Sequence, residues 1–281
     1  MKLHDLMVRL TGATALAAGL TALAGGTALA GDVLDKVMDE GVVVMSTDAE
    51  YPPQSFLNAQ NEFEGFDIDV GRAIAEKLGV EIEFVTPGWD IIVGGSWGGR
   101  WDMSVGSMTP TSERKEVLDF PAIYYYTPAS LAVHAENEDI ATPTDASGLK
   151  IGVGVATTYE SYLKQSLVID AEGAPPFEYQ IEDAVVATYD TDQLALDDLA
   201  LGDGVRLDGA MTALPTILAA IEQGYPIRVV GDPVFLEPLS IAIDKGDPEW
   251  GARLAEVVEE LRNDGTLAEL STKWYGADLT N

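Results

Sequence analysis

Two apolar rhythms alternate along this chain. VVVMST (42–47) is a continuous apolar run of strand length, and residues 67–78 follow with Val70, Ile74 and Leu78 on one helical face and Gly79 at the stop. EIEFV (81–85) alternates as a half-buried strand does, and 89–101 carries a helical pattern loosened by glycines. Met103-Ser104-Val105 predicts a short strand, the segment at Arg114 predicts a helix start capped by Ser112, and SLAVHA (130–135) predicts the next strand. Residues 136–148 break the rhythm; polar, with Pro143 and Gly148, they predict a linker. Beyond it come strand-like KIGVGV (150–155), a helix over 158–167, strand-like VVATYD (185–190), and a helix over 192–201 aligning Leu194, Leu196, Leu199 and Leu201. LDGAM (207–211) and TALPTILAAIEQG add a strand and a helix, and IRVVG (227–231) and LSIAID (239–244) add two separate strands. The chain ends on a helix with Leu254, Val257, Val258 and Leu261 on one face, then a shorter one holding Leu267, Leu270 and Trp274.

This alternation predicts an α/β fold of two lobes, each a mostly parallel sheet flanked by helices. Residues 31–133 with 236–281 form the first lobe, and 134–235 are inserted as the second. A cleft between two such lobes is where a small ligand binds.

Residues 1–30 stand outside the pattern. Lys2 and Arg9 head an Ala/Leu/Gly-rich run ending in Ala28-Leu29-Ala30, which predicts a signal peptide cleaved after Ala30 and an exported, periplasmic protein. The chain sets 16 Lys+Arg against 47 Asp+Glu, a formal net charge of −31. Phosphate binding needs a basic face, so nucleic acid is excluded as a partner, and anionic membrane surfaces with it. Charge of this size keeps a protein soluble under strong screening and fits a saline habitat. The absence of cysteine rules out a disulfide framework and a lipid anchor through cysteine. Of the two histidines, His4 lies in the leader and His134 at a strand end. No metal-ligand cluster, phosphate loop or nucleophile elbow is present, so the expectation is a monomeric binder without cofactor or metal rather than an enzyme.

Within SVGSMTPTSERKEVLDFPAIYYY (104–126), Arg114 follows Ser107, Thr109 and Thr111. It reads either as a solvated residue at a helix start or as an anion clamp. Tyr124, Tyr125 and Tyr126 are expected in strand and core packing.

STDAEYPPQSF and EGFDIDVGRAIAEKLG, then GWDIIVGG…RWDMSVGSMTPTSERKEVLDFPAIYYY, LKIGVGVATTYE, DLALGDGVRLDGAM and LRNDGTLAELSTKWYG stand in a telling order and spacing. The chain after its leader resembles, over nearly all its length, the type II periplasmic solute-binding proteins of ABC importers (family 3), the group mostly serving polar amino acids. The resemblance implies a type II periplasmic-binding-protein-like fold. It also implies an extracytoplasmic receptor that takes a small carboxylate-bearing solute, an amino acid or related compound, to the permease subunits of an ABC importer. Carried over residue by residue, it implies that Arg114, with Thr109 and the backbone near Gly106 and Ser107, clamps the ligand's α-carboxylate. Tyr51 and Trp89 would wall the ligand, Thr157 and Thr158 would reach the carboxylate on closure, and Asp48 would contact the ligand side chain. The chemistry of the residues agrees: a guanidinium meets a carboxylate bidentately, and threonine hydroxyls donate without adding charge. Free N–H groups at the helix start over 157–158 also favour an anion.

One departure stands out. The family's amino-acid binders usually carry an aspartate five residues after that of an RxDA strand, to pair the ligand's ammonium; VRLDGAMTALP has Asp208 first and Ala213 at that position. A buried unpaired ammonium is costly. Asp48, Glu50 and Asp190 are the candidate replacement acids. Alternatively Tyr51, Trp89 and Tyr159, with Trp97 and Trp101, cage a methylated or delocalised cation; packing in the first lobe is the competing expectation for Trp97 and Trp101. Three ligand classes stay open: a polar amino acid with a rearranged amino-group site, a carboxylate without an ammonium, and a zwitterionic osmolyte such as a betaine or ectoine. A dehydratase-like enzyme on the same fold, with Glu160 or Asp190 as acid, and a sensor are the remaining alternatives.

Overall fold

The computed structural model describes residues 32–281; the leader expected over 1–30 lies outside them. The described chain opens with α1 (Asp32–Glu40) and β1 (Val42–Ser46), then β2 (Glu50–Tyr51), β3 (Ser55–Leu57) and β4 (Phe63–Glu64), which pair as a small antiparallel sheet. Next come α2 (Phe66–Leu78), β5 (Glu81–Val85), α3 (Trp89–Val93), β6 (Met103–Met108), β7 (Leu118–Asp119) and β8 (Ile123–His134). β9 (Lys150–Gly154), α4 (Thr158–Leu163), β10 (Val185–Tyr189), α5 (Asp192–Leu199), β11 (Gly209–Ala213) and α6 (Leu214–Glu222) follow. β12 (Ile227–Asp244), α7 (Pro248–Asn263) and α8 (Thr266–Tyr275) complete the fold.

The main sheet runs β10-β9-β11-β8-β12-β6-β1-β5, with β7 on β12. It holds two parallel sets, β1 between β5 and β6, and β9 between β10 and β11. The long antiparallel pair β8–β12 joins them. Here the structure departs from the strand expectations. The strand expected over 130–135 is the end of β8, and the two expected over 227–231 and 239–244 are one strand, β12. Pro128, Gly231, Pro233 and Pro238, residue types that ordinarily interrupt a ladder, fall inside β8 and β12. In the sheet the ladder shifts register between Val230 and Phe235, where Gly231 takes φ 58°, so the strand continues through the irregularity.

Helix lengths were less legible. α2 ends where expected, with Gly79 at φ 76° donating to the last carbonyls. The pattern over 89–101 yields helix only as far as Val93, and that over 158–167 stops at Leu163. Leu194 and Leu201 are exposed; Ala195, Leu196 and Leu199 form the buried face of α5. At Arg114 there is a single 3-10 turn (Arg114–Glu116), not a helix. Thr111, not Ser112, accepts the Arg114 N–H through its hydroxyl, at 3.2 Å.

Each parallel set has its own core. Met45, Ile74, Val105, Ile241, Trp250 and Leu254 pack on one side, and Leu131, Ile151, Val153, Tyr162 and Val230 on the other. Tyr124 and Tyr125 are buried against Phe66, as strand packing predicts. Trp97 and Trp101, with ring centroids 5.2 Å apart, pack with Ile92, Met108 and Leu118 and take no part in the cleft.

Candidate functional site

Segments at the carboxyl ends of β1, β9 and β10, with the end of β6, line a pocket holding about 500 Å³ of space, its open mouth included. The residues expected to clamp, wall or reach the ligand lie along it. Asp48, Tyr51, Trp89, Gly106, Ser107, Thr109 and Arg114 come from the first parallel set and its loops, and Thr157, Thr158, Tyr159 and Asp190 from the second. Glu50, named as a replacement acid, does not line it; Glu50 is exposed and accepts from the Thr191 hydroxyl at 3.4 Å. Asp192 and Glu237 line it as well and escaped the sequence reading.

Arg114 is 7% exposed. Its Nη1 donates to the Thr109 carbonyl at 2.9 Å and its Nη2 to the Ala156 carbonyl, across the pocket, also at 2.9 Å. Trp89 Nε1 donates to the same Ala156 carbonyl at 3.3 Å, and the guanidinium carbon stands 5.5 Å from the Trp89 ring centre. Ala156 presents that carbonyl from a left-handed backbone, φ 58°. Burial pulls the Arg114 pKa down to about 10, so the guanidinium stays charged at neutral pH. Among the described residues no carboxylate forms an ion pair with it. A guanidinium carries about five N–H donors, and the two carbonyls occupy two of them.

Glu237, on β12, is 2% exposed. Its Oε1 accepts from the Thr109 hydroxyl at 2.9 Å and the Thr158 hydroxyl at 2.5 Å; its Oε2 accepts from the Tyr159 hydroxyl at 2.7 Å. Burial raises its pKa, and the three hydroxyls and Arg114 work against that. Asp192, at the start of α5, accepts from the Gly154 N–H at 2.8 Å and the Thr212 hydroxyl at 2.7 Å; burial pushes its pKa up to about 7. Gly154 permits this approach, because a Cβ there would stand 2.6 Å from Asp192 Oδ1. Asp48 is half-buried, its pKa raised by burial, and it accepts from the Glu50 N–H at 2.8 Å; Asp190 is exposed. The hydroxyls of Tyr51 and Tyr159 meet at 3.3 Å across the pocket.

The hydroxyls expected to meet a ligand all have protein partners. Thr157 caps α4, accepting from the Glu160 N–H at 3.2 Å and donating to the Gly154 carbonyl at 2.7 Å. Thr158 and Thr109 donate to Glu237. Beside the helix start expected to attract an anion, Glu160 accepts from the Ala156 N–H at 2.6 Å, one residue ahead of the Thr157 cap. Ser107 turns its side chain away from the cleft. From a left-handed backbone (φ 56°), its hydroxyl donates to Asp67 at 2.7 Å and its N–H to the Tyr124 hydroxyl at 2.9 Å.

Asp67 is the buried acid of that network, and Tyr124 also donates to it, at 2.7 Å. Burial raises its pKa to about 7, against the two hydroxyl donors. An unfolded aspartate titrates near about 4. Between the two values the folded protein keeps a proton the unfolded chain releases, so this group's contribution to stability falls as pH rises from about 4 to about 7. We expect Asp67→Asn to flatten that part of the profile. Its thermal midpoints near about pH 5 and about pH 8 should differ less than those of the wild type; an unchanged difference would assign the dependence to other carboxylates.

The sequence profile of the bacterial extracellular solute-binding proteins, family 3, matches residues 43–277 of this chain. The chain is 29% identical over 250 residues to the L-cystine-binding protein TcyJ of Escherichia coli (strain K12), covering 88% of each. It is similar to the solved structure of an ancestral arginine-binding protein bound to arginine, with a TM-score of 0.73 and 31% identity over 84% of this chain and 99% of that one. It is also similar to the ancestral amino acid-binding protein AncCDT-1, a precursor of cyclohexadienyl dehydratase, with a TM-score of 0.75 and 30% identity over 86% and 99%.

Proposed function

We propose that this chain, which belongs to the bacterial extracellular solute-binding proteins, family 3, captures an amino acid by its carboxylate on Arg114 and presents it to the permease of an ABC importer. The chain is a solute-binding receptor, as its family is, and the relatives above are named for binding cystine, arginine or amino acids. The observation that carries the carboxylate reading is a buried guanidinium with N–H donors to spare and no carboxylate hydrogen-bonded to it. Buried N–H donors left without acceptors carry a desolvation cost, and a ligand carboxylate offsets it. Trp89 and Tyr51 supply the flanking ring faces.

Capture works by closure. The contacts of Arg114 and Trp89 with Ala156, and of Tyr51 with Tyr159, hold the two sides of the pocket together. A ligand bridging the same groups shifts an open–closed equilibrium toward the closed form. The moving units are 31–133 with 236–281 and the inserted 134–235, and the crossing strands β8 and β12 carry the bend. The protein works as a periplasmic monomer after cleavage at Ala30. Its family and the relatives above are binding proteins, which supports a receptor rather than an enzyme; Glu160, an acid of the dehydratase alternative, is tied to the Ala156 N–H and Lys164.

A thermal-shift panel tests this reading, using the twenty standard L-amino acids, L-cystine, glycine betaine and ectoine. At 100 times Kd a ligand adds about 2.7 kcal/mol, which for a chain of this size raises the midpoint by roughly 5–10 °C. We expect at least one amino acid to do so. Shifts from betaine or ectoine alone would replace the amino-acid reading by an osmolyte one.

A further inference from the structure

We propose that Glu237 is the counter-charge for a cationic N–H group beside the ligand's carboxylate, in the role left vacant at Ala213. The inference rests on the carboxylate reading of Arg114. Ala213 is buried and leaves the start of α6 without a side-chain cap. The sheet register connects the two positions. Ala213 stands opposite Ala129 on β8, and Ala129 stands opposite Phe235 on β12. Residues opposite one another, and residues two apart on one strand, send their side chains to the same face. Glu237 therefore leaves the same face of the sheet as Ala213, two strands away, with the longer acidic side chain.

Its surroundings match one end of a zwitterion. Thr109 binds both charges, taking Arg114 Nη1 on its carbonyl and giving its hydroxyl to Glu237 Oε1. A guanidinium and a carboxylate thus share one residue as partner, and an α-amino acid carries its opposite charges on two groups bonded to one carbon. Glu237 also has capacity to spare. A carboxylate offers about four lone-pair sites, and three hydroxyls occupy three of them. The remaining site accepts one N–H donor. Of the other acids lining the pocket, Asp190 is exposed, Asp48 is folded back onto the Glu50 N–H, and Asp192 accepts from Gly154 and Thr212, neither of which holds Arg114 as Thr109 does.

This narrows the ligand to primary or secondary ammonium zwitterions. A carboxylate without an ammonium leaves Glu237 buried and uncompensated, and a trimethylammonium has no N–H for the open lone pair. Isothermal titration compares wild type and Glu237→Gln against three probes. These are the L-amino acid with the largest shift in the panel above, its α-hydroxy counterpart, and glycine betaine. The wild type should prefer the amino acid over the other two by about 30-fold or more, and Glu237→Gln should lose about 30-fold or more for the amino acid while the α-hydroxy acid loses less. Wild-type selectivity is read without any variant, so it decides the matter even if Glu237→Gln folds poorly. An amino acid that binds but is not preferred, or whose affinity survives Glu237→Gln in a folded variant, overturns the Glu237 assignment and leaves the receptor intact. No binding of any amino acid overturns both.

Discussion

Arg114→Ala lowers amino-acid affinity by roughly 30- to 5,000-fold, the range spanned by the 2–5 kcal/mol lost when one partner of a buried charge pair is truncated. The guanidinium is 7% exposed, so no solvent shell replaces it for an incoming carboxylate. The substitution also removes two hydrogen bonds within the pocket, to Thr109 and to Ala156 on the facing side, so it loosens the closed form as well. Arg114→Lys separates charge from geometry: a lysine keeps the charge but cannot meet a carboxylate with a planar fork, and should recover only part of the loss. Titration calorimetry on both variants, with folding checked by circular dichroism, reads the outcome. Wild-type affinity in a folded Arg114→Ala protein would end the carboxylate assignment.

Trp250→Ala is the substitution expected to cost most in stability. Trp250 lies on α7 at 0% exposure, packed in the same core as Met45, Val105 and Ile241. Its indole N–H donates to the Asp102 carbonyl at 2.8 Å, and its backbone N–H is accepted by the Asp247 side chain at 3.0 Å. Asp102 is itself a junction, accepting from Lys36 Nζ at 2.8 Å and from the Val44 N–H at 2.9 Å. Truncating a buried tryptophan to alanine costs about 3–5 kcal/mol, a large share of the roughly 5–15 kcal/mol of a whole domain. The thermal midpoint should fall by roughly 10 °C. Urea unfolding checks it through a lower midpoint with an unchanged m-value. Because Trp250 is not among the residues lining the pocket, ligand affinity of the folded fraction should stay near wild type. A loss below about 1 kcal/mol would mean that the core closes over the cavity.

The elements that could be read from sequence are those set by local pattern. α2 shows this well, since its apolar face and the glycine that stops it lie within a few residues of one another. β8 and β12 show the converse: prolines and a glycine mark breaks locally, yet both strands persist because each is paired along its length by the other. The site divides in the same way. Arg114, Thr109, Trp89 and Thr158 sit in motifs whose spacing is recognisable. Glu237 stands in VFLEPLSI, between what read as two strands, and has no motif to announce it. Asp192 looks like one more acidic residue at a helix start in a chain full of them.

By itself the sequence determined the alternation of strands and helices, the scarcity of positive charge and the presence of a guanidinium among hydroxyl residues. Each of these depends on residue type and near-neighbour spacing. Only the tertiary structure decided which groups those hydroxyls serve, which acid stands beside Arg114, and that Trp97 and Trp101 belong to a core. Those outcomes depend on strand register between residues more than a hundred positions apart, as between Thr109 and Glu237. At such separations a one-residue shift would turn every side chain of a strand to the opposite face.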